Sequence, residues 1–208
     1  MTYEIRPLDA STWDAFAALV ERNNGVFGGC WCMGFHGGLS RRDPGLNKTA
    51  KQQRVLGGQA HAALVFDGGD CVGWCQFGSP QEVPAIKNRA AYERDRPVPP
   101  DWRIACNFVG KGHRRQGVAT AALAGALDLI AELGGGTVEG YPESAGSVAA
   151  GFLFTGRSRR TRRWVLSVIV RSASIAGWCG RPWPPREGPG HQISPIRSAT
   201  LSTMRDGR

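Results

Sequence analysis

The sequence predicts an α/β fold: a mixed sheet with flanking helices, whose C-terminal strands are missing or replaced by an irregular basic tail. Three observations carry this. Between Trp102 and Leu133 an apolar strand, WRIACNFV, runs into a loop, GKGHRRQGVA, that opens a long helix, TAALAGALDLIAEL. Upstream, AHAALVFDGGDCVGWCQFG reads as two strands joined at Asp67-Gly68-Gly69-Asp70, a hairpin-type turn. Downstream, Gly134, Gly135 and Gly136 stop the helix and TVEGYP follows as a short strand from Thr137 to Pro142. Trp102 to Pro142 is therefore a strand–helix–strand crossover.

Taken in order, Glu4 to Leu8 reads as a first strand, and Asp9 or Ser11 can cap a helix carrying Trp13, Phe16, Leu19 and Val20 at helical spacing. Asn23-Asn24-Gly25 ends it. The next stretch, GVFGGCWCMGFHGGL, is too punctuated by glycine for a regular element. Lys48 to Leu56 reads as a second, polar helix, ahead of the hairpin. Val83 to Pro100 is a helix-like excursion with Ile86, Ala90 and Tyr92 apolar and a proline-rich exit. In the long helix, Leu123, Leu127, Ile130 and Leu133 recur at spacings that predict one buried face, with Asp128 and Glu132 on another.

The loop before that helix has the makings of an anion site. The first N–H groups of a helix have no intrahelical acceptor and sit at the positive end of the macrodipole, so a pyrophosphate can accept several hydrogen bonds there. Gly117 admits a close backbone approach, Ala119 leaves the backbone uncovered, and Arg114 and Arg115 add charge. The loop lacks the Gly-Lys-Ser/Thr of a Walker loop and the GxGxxG of a dinucleotide fingerprint.

Arg114, Arg115, Gln116, Gly117, Val118 and Ala119 fit Arg/Gln-x-x-Gly-x-Gly/Ala, and in this the chain resembles the GNAT N-acetyltransferases. The motif also stands where that family puts it, after the fourth strand and at the start of the third helix. The order β-α-α-β-β-(α)-β-α-β over residues 1–156 matches as well. The resemblance implies acetyl-CoA as co-substrate, lying between the fourth and fifth strands, and an N-acetyltransferase acting on a primary amine of a small molecule or peptide. By position, Asn107, Phe108 and Val109 would meet pantetheine, and Arg114, Arg115, Gln116, Gly117, Val118, Ala119 and Thr120 the phosphates.

In the resembled family the region between the first two helices borders the acceptor, which makes Trp31, Met33, Phe35 and His36 candidates for the substrate site. Catalysis there is direct acetyl transfer, by positioning and electrostatics, without metal or covalent intermediate. Glu139 and Glu143 are candidate bases near the end of the fifth strand, against the plainer reading of each as a solvated loop carboxylate. The family's general acid is often a tyrosine on the helix after the fifth strand, and no tyrosine follows Tyr141. Turnover by this chain is therefore expected to be weak or absent.

The chain has 208 residues and a formal charge of +9. Residues 157–208 hold 11 arginines against Glu187 and Asp206, while residues 1–156 hold 15 basic and 15 acidic side chains. The body is thus neutral, which argues against nucleic acid as its partner. Six cysteines, at 30, 32, 71, 75, 106 and 179, lie scattered among apolar residues, as reduced thiols of a cytoplasmic protein would. Cys30 and Cys32, like Cys71 and Cys75, lack the Cys-x2-Cys knuckle of structural zinc, so no metal is expected. No stretch approaches the ~18 apolar residues of a membrane span, and the N-terminus has no signal-peptide pattern.

Residues 1–156 make one domain, incomplete by the family's pattern. Residues 157–208 are dominated by Arg, Pro, Gly, Ser and Trp and cannot bury enough apolar area to offset ordering entropy, so disorder is the expectation. This is the composition of a GC-rich gene read out of frame. When the third base of each codon is joined to the first two of the next, Arg157 to Trp183 can spell TVAAYAAVGFERDRPLGVDRWVVRATV, and Arg186 with Glu187 can supply a stop codon. That string restores a helix with a tyrosine and two closing strands. Two other readings stand beside the enzyme: a non-catalytic module binding CoA or a nucleotide, and a nucleic-acid binder using the basic tail. A homodimer stays open, and the sequence does not name the acceptor.

Overall fold

The computed structural model describes residues 2–38, 40, 43–86, 92, 98–141, 143–144, 157–158 and 166–171. The elements in chain order are β1 (Glu4–Pro7), α1 (Trp13–Arg22), a 3₁₀ turn (Met33–Phe35), α2 (Pro44–Leu56), β2 (His61–Asp67), β3 (Asp70–Gly78) and β4 (Trp102–Val109). They are followed by α3 (Val118–Glu132), β5 (Gly135–Gly140), β6 (Glu143–Ser144), β7 (Arg157–Ser158) and β8 (Leu166–Arg171). The main sheet has the order β1-β2-β3-β4-β5-β8, antiparallel except for the parallel pair β4–β5, as the crossover requires. The mixed sheet with flanking helices is the fold class expected from the sequence.

Strand alternation divides the core in two. Leu64, Phe66, Trp74, Cys106 and Phe108 point toward α1 and the segment leading to α2. There Trp74, fully buried, packs between Phe16 (centroids 5.1 Å apart) and Phe108 (4.5 Å). Ala63, Val65, Cys75, Phe77, Ile104 and Val138 point toward α3.

The face of α3 differs from the leucine pattern. Leu123 and Leu133 are exposed, and the buried set is Val118, Ala122, Gly125, Ala126, Leu129 and Ile130. The reason is close approach of helix to sheet. A Cβ on Gly125 would stand 2.5 Å from Ile5 Cγ2, and one on Gly73 of β3 would stand 2.6 Å from Val118 Cγ1. Small residues therefore take the interface, and the bulky leucines turn outward.

Both early helices start at sites the sequence only partly indicates. For α1 the N-cap is Thr12, with Asp9 Oδ1 accepting from the N–H groups of Ser11 (2.8 Å) and Thr12 (3.2 Å). For α2 the helix begins at Pro44 rather than Lys48, because Asp43 Oδ1 caps the N–H groups of Gly45 and Leu46 and proline suits the first turn. The polar residues of α2 do not all face solvent: Asn47, Lys51 and Val55, four apart, are its buried stripe. Asn47 Nδ2 donates to the carbonyls of Gly29 (2.8 Å) and Ser40 (2.7 Å), fastening the α1–α2 segment to the helix.

β5 begins at Gly135, two residues before the expected Thr137, and ends at Gly140. Within the stretch expected to be irregular, Leu166–Arg171 forms β8, antiparallel to β5. Its sequence, LSVIVR, is rich in β-branched residues, which suits a strand. Most of the Val83 to Pro100 excursion, and the rest of residues 145–208, lie outside the described residues.

Candidate active site

The parallel pair β4–β5 is stapled at one end and open at the other. At the N-terminal end, Asp101 Oδ2 accepts from Thr137 N (2.7 Å) and Oγ1 (2.7 Å), and Trp102 Nε1 donates to Gly135 O (2.9 Å). These bonds, chiefly the Thr137 N–H, hold the Asp101 carboxyl below its ordinary range. Pairing covers only Trp102↔Val138, Arg103↔Glu139 and Ile104↔Gly140. Beyond that point β4 continues to Val109 with no strand partner, among the described residues, on its β5 side. A bulge accompanies the change: Gln76 and Phe77 of β3 face Cys106 and Ile104, leaving Ala105 as the extra residue. Backbone groups of β4 from Ala105 to Val109 are thereby offered to an extended ligand lying between the strands.

At the end of that edge stands the loop Gly110–Gly117. Gly110 N donates to Val72 O (2.9 Å), Gln116 Nε2 to Gly112 O (3.1 Å), and Tyr3 Oη to Gln116 O (2.9 Å), which ties the loop to the N-terminal segment. Gly117 caps α3 at φ +87°, in the left-handed region where glycine is at ease. Ala121 N donates to Gly117 O (3.0 Å), so the N–H groups of Val118, Ala119 and Thr120, ahead of it, have no intrahelical acceptor. Arg114, Arg115, Gln116, Gly117, Ala119 and Thr120 are exposed and Val118 is buried. The expected phosphate residues thus share one surface at a helix start.

Asn107 joins strand to loop: its Nδ2 donates to Ala119 O (3.0 Å), while its Oδ1 is buried without a partner among the described residues. A buried, unanswered acceptor is costly unless a ligand donor meets it. A ligand amide N–H could supply such a donor. Val109 is half-buried beside it, whereas Phe108 turns to the other face and packs on Trp74. Phe108 can meet such a ligand through its backbone.

On the α1 side of the β4–β5 pair lies a second constellation. Glu139 is 3% exposed, so it is no solvated loop carboxylate. Its Oε2 accepts from Tyr92 Oη (2.6 Å) and Tyr141 Oη (3.2 Å), and its register partner is Arg103, whose Nη1 donates to Val83 O (3.1 Å). The two tyrosine rings meet edge to face at 5.8 Å. Burial, reinforced by the carboxylate, raises both phenols above their ordinary values, Tyr141 strongly. The signal for this group in the sequence is slight: Tyr92 stands as an apolar residue in a helix-like excursion and Arg103 in an apolar strand. Glu143 falls in β6, opposite Arg157 of β7.

The residues expected at the acceptor site are inside the protein. Trp31 (4% exposed) stacks on Trp13 at 6.2 Å, Met33 (2%) is in the core, and Phe35 is half-buried. His36 is buried in a polar network. Its Nδ1 is 2.8 Å from Glu82 O, a carbonyl that can only accept, so Nδ1 carries the proton. Its Nε2 then accepts from Lys51 Nζ (3.0 Å) and Gln76 Nε2 (3.0 Å), and Lys51 also donates to Gln76 Oε1 (3.1 Å). Burial, then Lys51, depresses the imidazole to about 3, which keeps it neutral.

A cleft of about 420 Å³, lined by Arg22, Asn23, Asp70, Lys111 and His113 among others, opens on the β3 side of the loop. None of its lining residues belongs to β4 or β5, so it is separate from the opening between those strands. His113 itself is half exposed, with Nδ1 4.0 Å from Asp67 Oδ2. Among the described residues, five cysteines are free thiols, no group of three or more His, Cys, Asp or Glu could hold a metal, and no helix is long and apolar enough to cross a membrane.

The family model described as Acetyltransferase (GNAT) family matches residues 18–150. No curated protein matches significantly. Similar solved structures include a ribosomal-protein-alanine N-acetyltransferase from Brucella melitensis, with 14% identity, 62% of this chain and 72% of that one covered, and a TM-score of 0.38. Another is an N-acetyltransferase from Staphylococcus aureus, with 15% identity, coverage of 71% and 78%, and a TM-score of 0.42. The family match alone spans well over half of the sequence and takes in β4, the loop and α3: the chain belongs to the GNAT acetyltransferase family.

Proposed function

We propose that the chain binds acetyl-CoA and transfers its acetyl group to a primary amine of a small molecule or peptide. The observation that carries this is the open edge of β4 running into the amide-rich start of α3. Pantetheine would add to the edge at Asn107, Phe108 and Val109, and the pyrophosphate would take the N–H groups between Arg114 and Thr120. The amine nitrogen attacks the thioester carbonyl, the C–S bond breaks, and the CoA thiolate leaves. An N–H of the unpaired β4 edge serves as donor to the developing oxyanion. The amine must lose a proton, and Glu139 is the best candidate to take it, directly or through Tyr141, which stands next to the last paired residue, Gly140. Trp31, Met33, Phe35 and His36 then support the acceptor wall from behind.

Residues 157–208 are read as an out-of-frame continuation, so the chain as it stands should turn over slowly. Two experiments test these readings. CoA release with a panel of primary amines tests the chemistry: product above the no-amine background supports it, and bound acetyl-CoA with no product from any amine favours a non-catalytic CoA-binding module. Sequencing the gene across codons 150–190 tests the tail: an inserted or missing base near codon 156 supports the frame shift, and an uninterrupted frame shared with complete relatives overturns it.

A further inference from the structure

Residues 24–29, between α1 and α2, all have φ between +48° and +85°, which makes them a left-handed turn. Glycine takes that conformation freely and asparagine tolerates it, but Val26 (+55°) and Phe27 (+48°) are strained there. The turn is nevertheless closed and fastened. Cys30 N donates to Val26 O (2.8 Å) and Trp31 N to Gly25 O (3.1 Å). A Cβ on Gly25 would stand 2.7 Å from Gly29 Cα, one on Gly29 would stand 2.5 Å from Pro44 Cβ, and Asn47 holds the Gly29 carbonyl. Within this fixed turn the two strained side chains go opposite ways: Val26 (2% exposed) joins the core, whereas Phe27 is 38% exposed. Phe27 therefore combines a strained backbone with a ring in contact with solvent, where asparagine or glycine would incur neither cost. Strain maintained by the surrounding packing marks places where the position of a side chain matters.

That position lies beside the open strand. The Phe27 ring meets Phe108 edge to face at 6.3 Å, and Phe108 stacks on Trp74 at 4.5 Å, so a row of aromatic rings runs from the core to the surface. Phe108 stands in the stretch of β4 beyond its pairing with β5, and its ring is on the α1 face, the face of the Glu139 constellation. Ile104, the last residue of β4 paired with β5, is four residues from Phe108. In an extended strand that is ~13 Å, and about 10 Å once the bulge at Ala105 is allowed for.

Resting on the reading of the open β4 edge as the seat of acyl-pantetheine, we propose that Phe27 is the specificity wall for the acceptor. The acceptor nitrogen stands at the Glu139–Tyr141 end, and the acceptor's apolar body lies against the exposed Phe27 ring, roughly 10 Å away. A phenyl ring offers apolar area and no hydrogen bond, so the class it selects is a primary amine with an aromatic group on an arm of several carbons. Short alkyl amines reach the nitrogen position without touching the wall. The rigid turn suits this role, since an anchor already held in place loses little freedom when the ligand arrives.

The test is titration of the full-length chain, first saturated with CoA, with n-butylamine, 1,4-diaminobutane and 4-phenylbutylamine, which share the amine and the arm and differ at the far end. Wild type should bind 4-phenylbutylamine roughly tenfold more tightly than either of the others. Phe27→Asn should keep its CoA affinity and a Tm within about 3 °C of wild type, relief of strain offsetting the lost ring contact, while that preference disappears. Phe27→Leu, still apolar, should keep part of it. Equal binding of the three amines by wild type, tighter binding of the diamine, or an unchanged preference in Phe27→Asn would overturn the proposal. So would a matching fall in CoA affinity, which would put the ring against pantetheine, or a larger fall in Tm, which would make Phe27 a core residue. Failure to bind CoA, seen before any amine is added, would instead remove the reading of the β4 edge and this proposal with it.

Discussion

Replacing Lys51 by methionine should change the pH dependence of stability in a way that identifies the buried ammonium. Burial brings Lys51 from its ordinary 10.5 down to about 8. Between those values the unfolded chain holds a proton that the folded chain has released, so the lysine's contribution to stability rises with pH. Below about pH 8 the full cost of keeping the charge inside applies; at 1.36 kcal/mol per pH unit it is roughly 3 kcal/mol, and it vanishes above 10.5. Wild type and Lys51→Met, unfolded in urea under reducing conditions at intervals from pH 7 to 10, should therefore show a free-energy gap that moves about 2–3 kcal/mol in favour of wild type as pH rises. The buried thiols Cys71 and Cys75, held at about 11 and 12, pull stability down over the same range, but they do so in both proteins and cancel in the difference. A gap that is flat, or that moves the other way, would refute the reasoning.

Three further outcomes follow from the same geometry. Gly73→Ala places a Cβ 2.8 Å from the Phe108 carbonyl and 2.6 Å from Val118 Cγ1, so overpacking should cost about 1–3 kcal/mol, lower Tm by roughly 2–4 °C per kcal/mol, and weaken acetyl-CoA binding by shifting the start of α3. Glu139→Gln should cut kcat for amine acetylation by roughly 10²-fold or more while acetyl-CoA affinity stays within about twofold; equal losses in both would mark Glu139 as structural. A chain ending at Arg171 keeps β8 and should bind acetyl-CoA as the full chain does; six of the 11 tail arginines lie in residues 157–171, so any salt-sensitive DNA binding should weaken without residues 172–208 rather than vanish, which gel shift at two salt concentrations would show.

How much of this was legible depended on how local the cause was. The hairpin at Asp67–Asp70, the apolar β4 and the loop into α3 are each decided by residues near in sequence, and they stand where the pattern puts them. The faces of helices are not local. Leucine spacing pointed α3 the wrong way because Ile5 and Gly73, far off in sequence, demand small residues at the contact. In α2 the polar stretch concealed an inward stripe, since Asn47 and Lys51 are buried to satisfy backbone carbonyls, His36 and Gln76 contributed by other segments. Glu139 looked like a loop residue until Tyr92 and Tyr141 closed over it. The left-handed run around Trp31 and Cys32 had no glycine at those positions to announce it.

The most direct test of the central claim is calorimetric titration of the full chain with acetyl-CoA, beside Gly117→Val. Gly117 stands at φ +87° with open space where the first carbon of a side chain would stand, so a β-branched residue there strains the backbone rather than colliding with neighbours. At about 1–3 kcal/mol of strain, the loop should lose its amide geometry. The account predicts one acetyl-CoA bound per chain, with affinity reduced roughly tenfold or more in the variant. No binding by the unaltered chain, or equal binding by both, would contradict it.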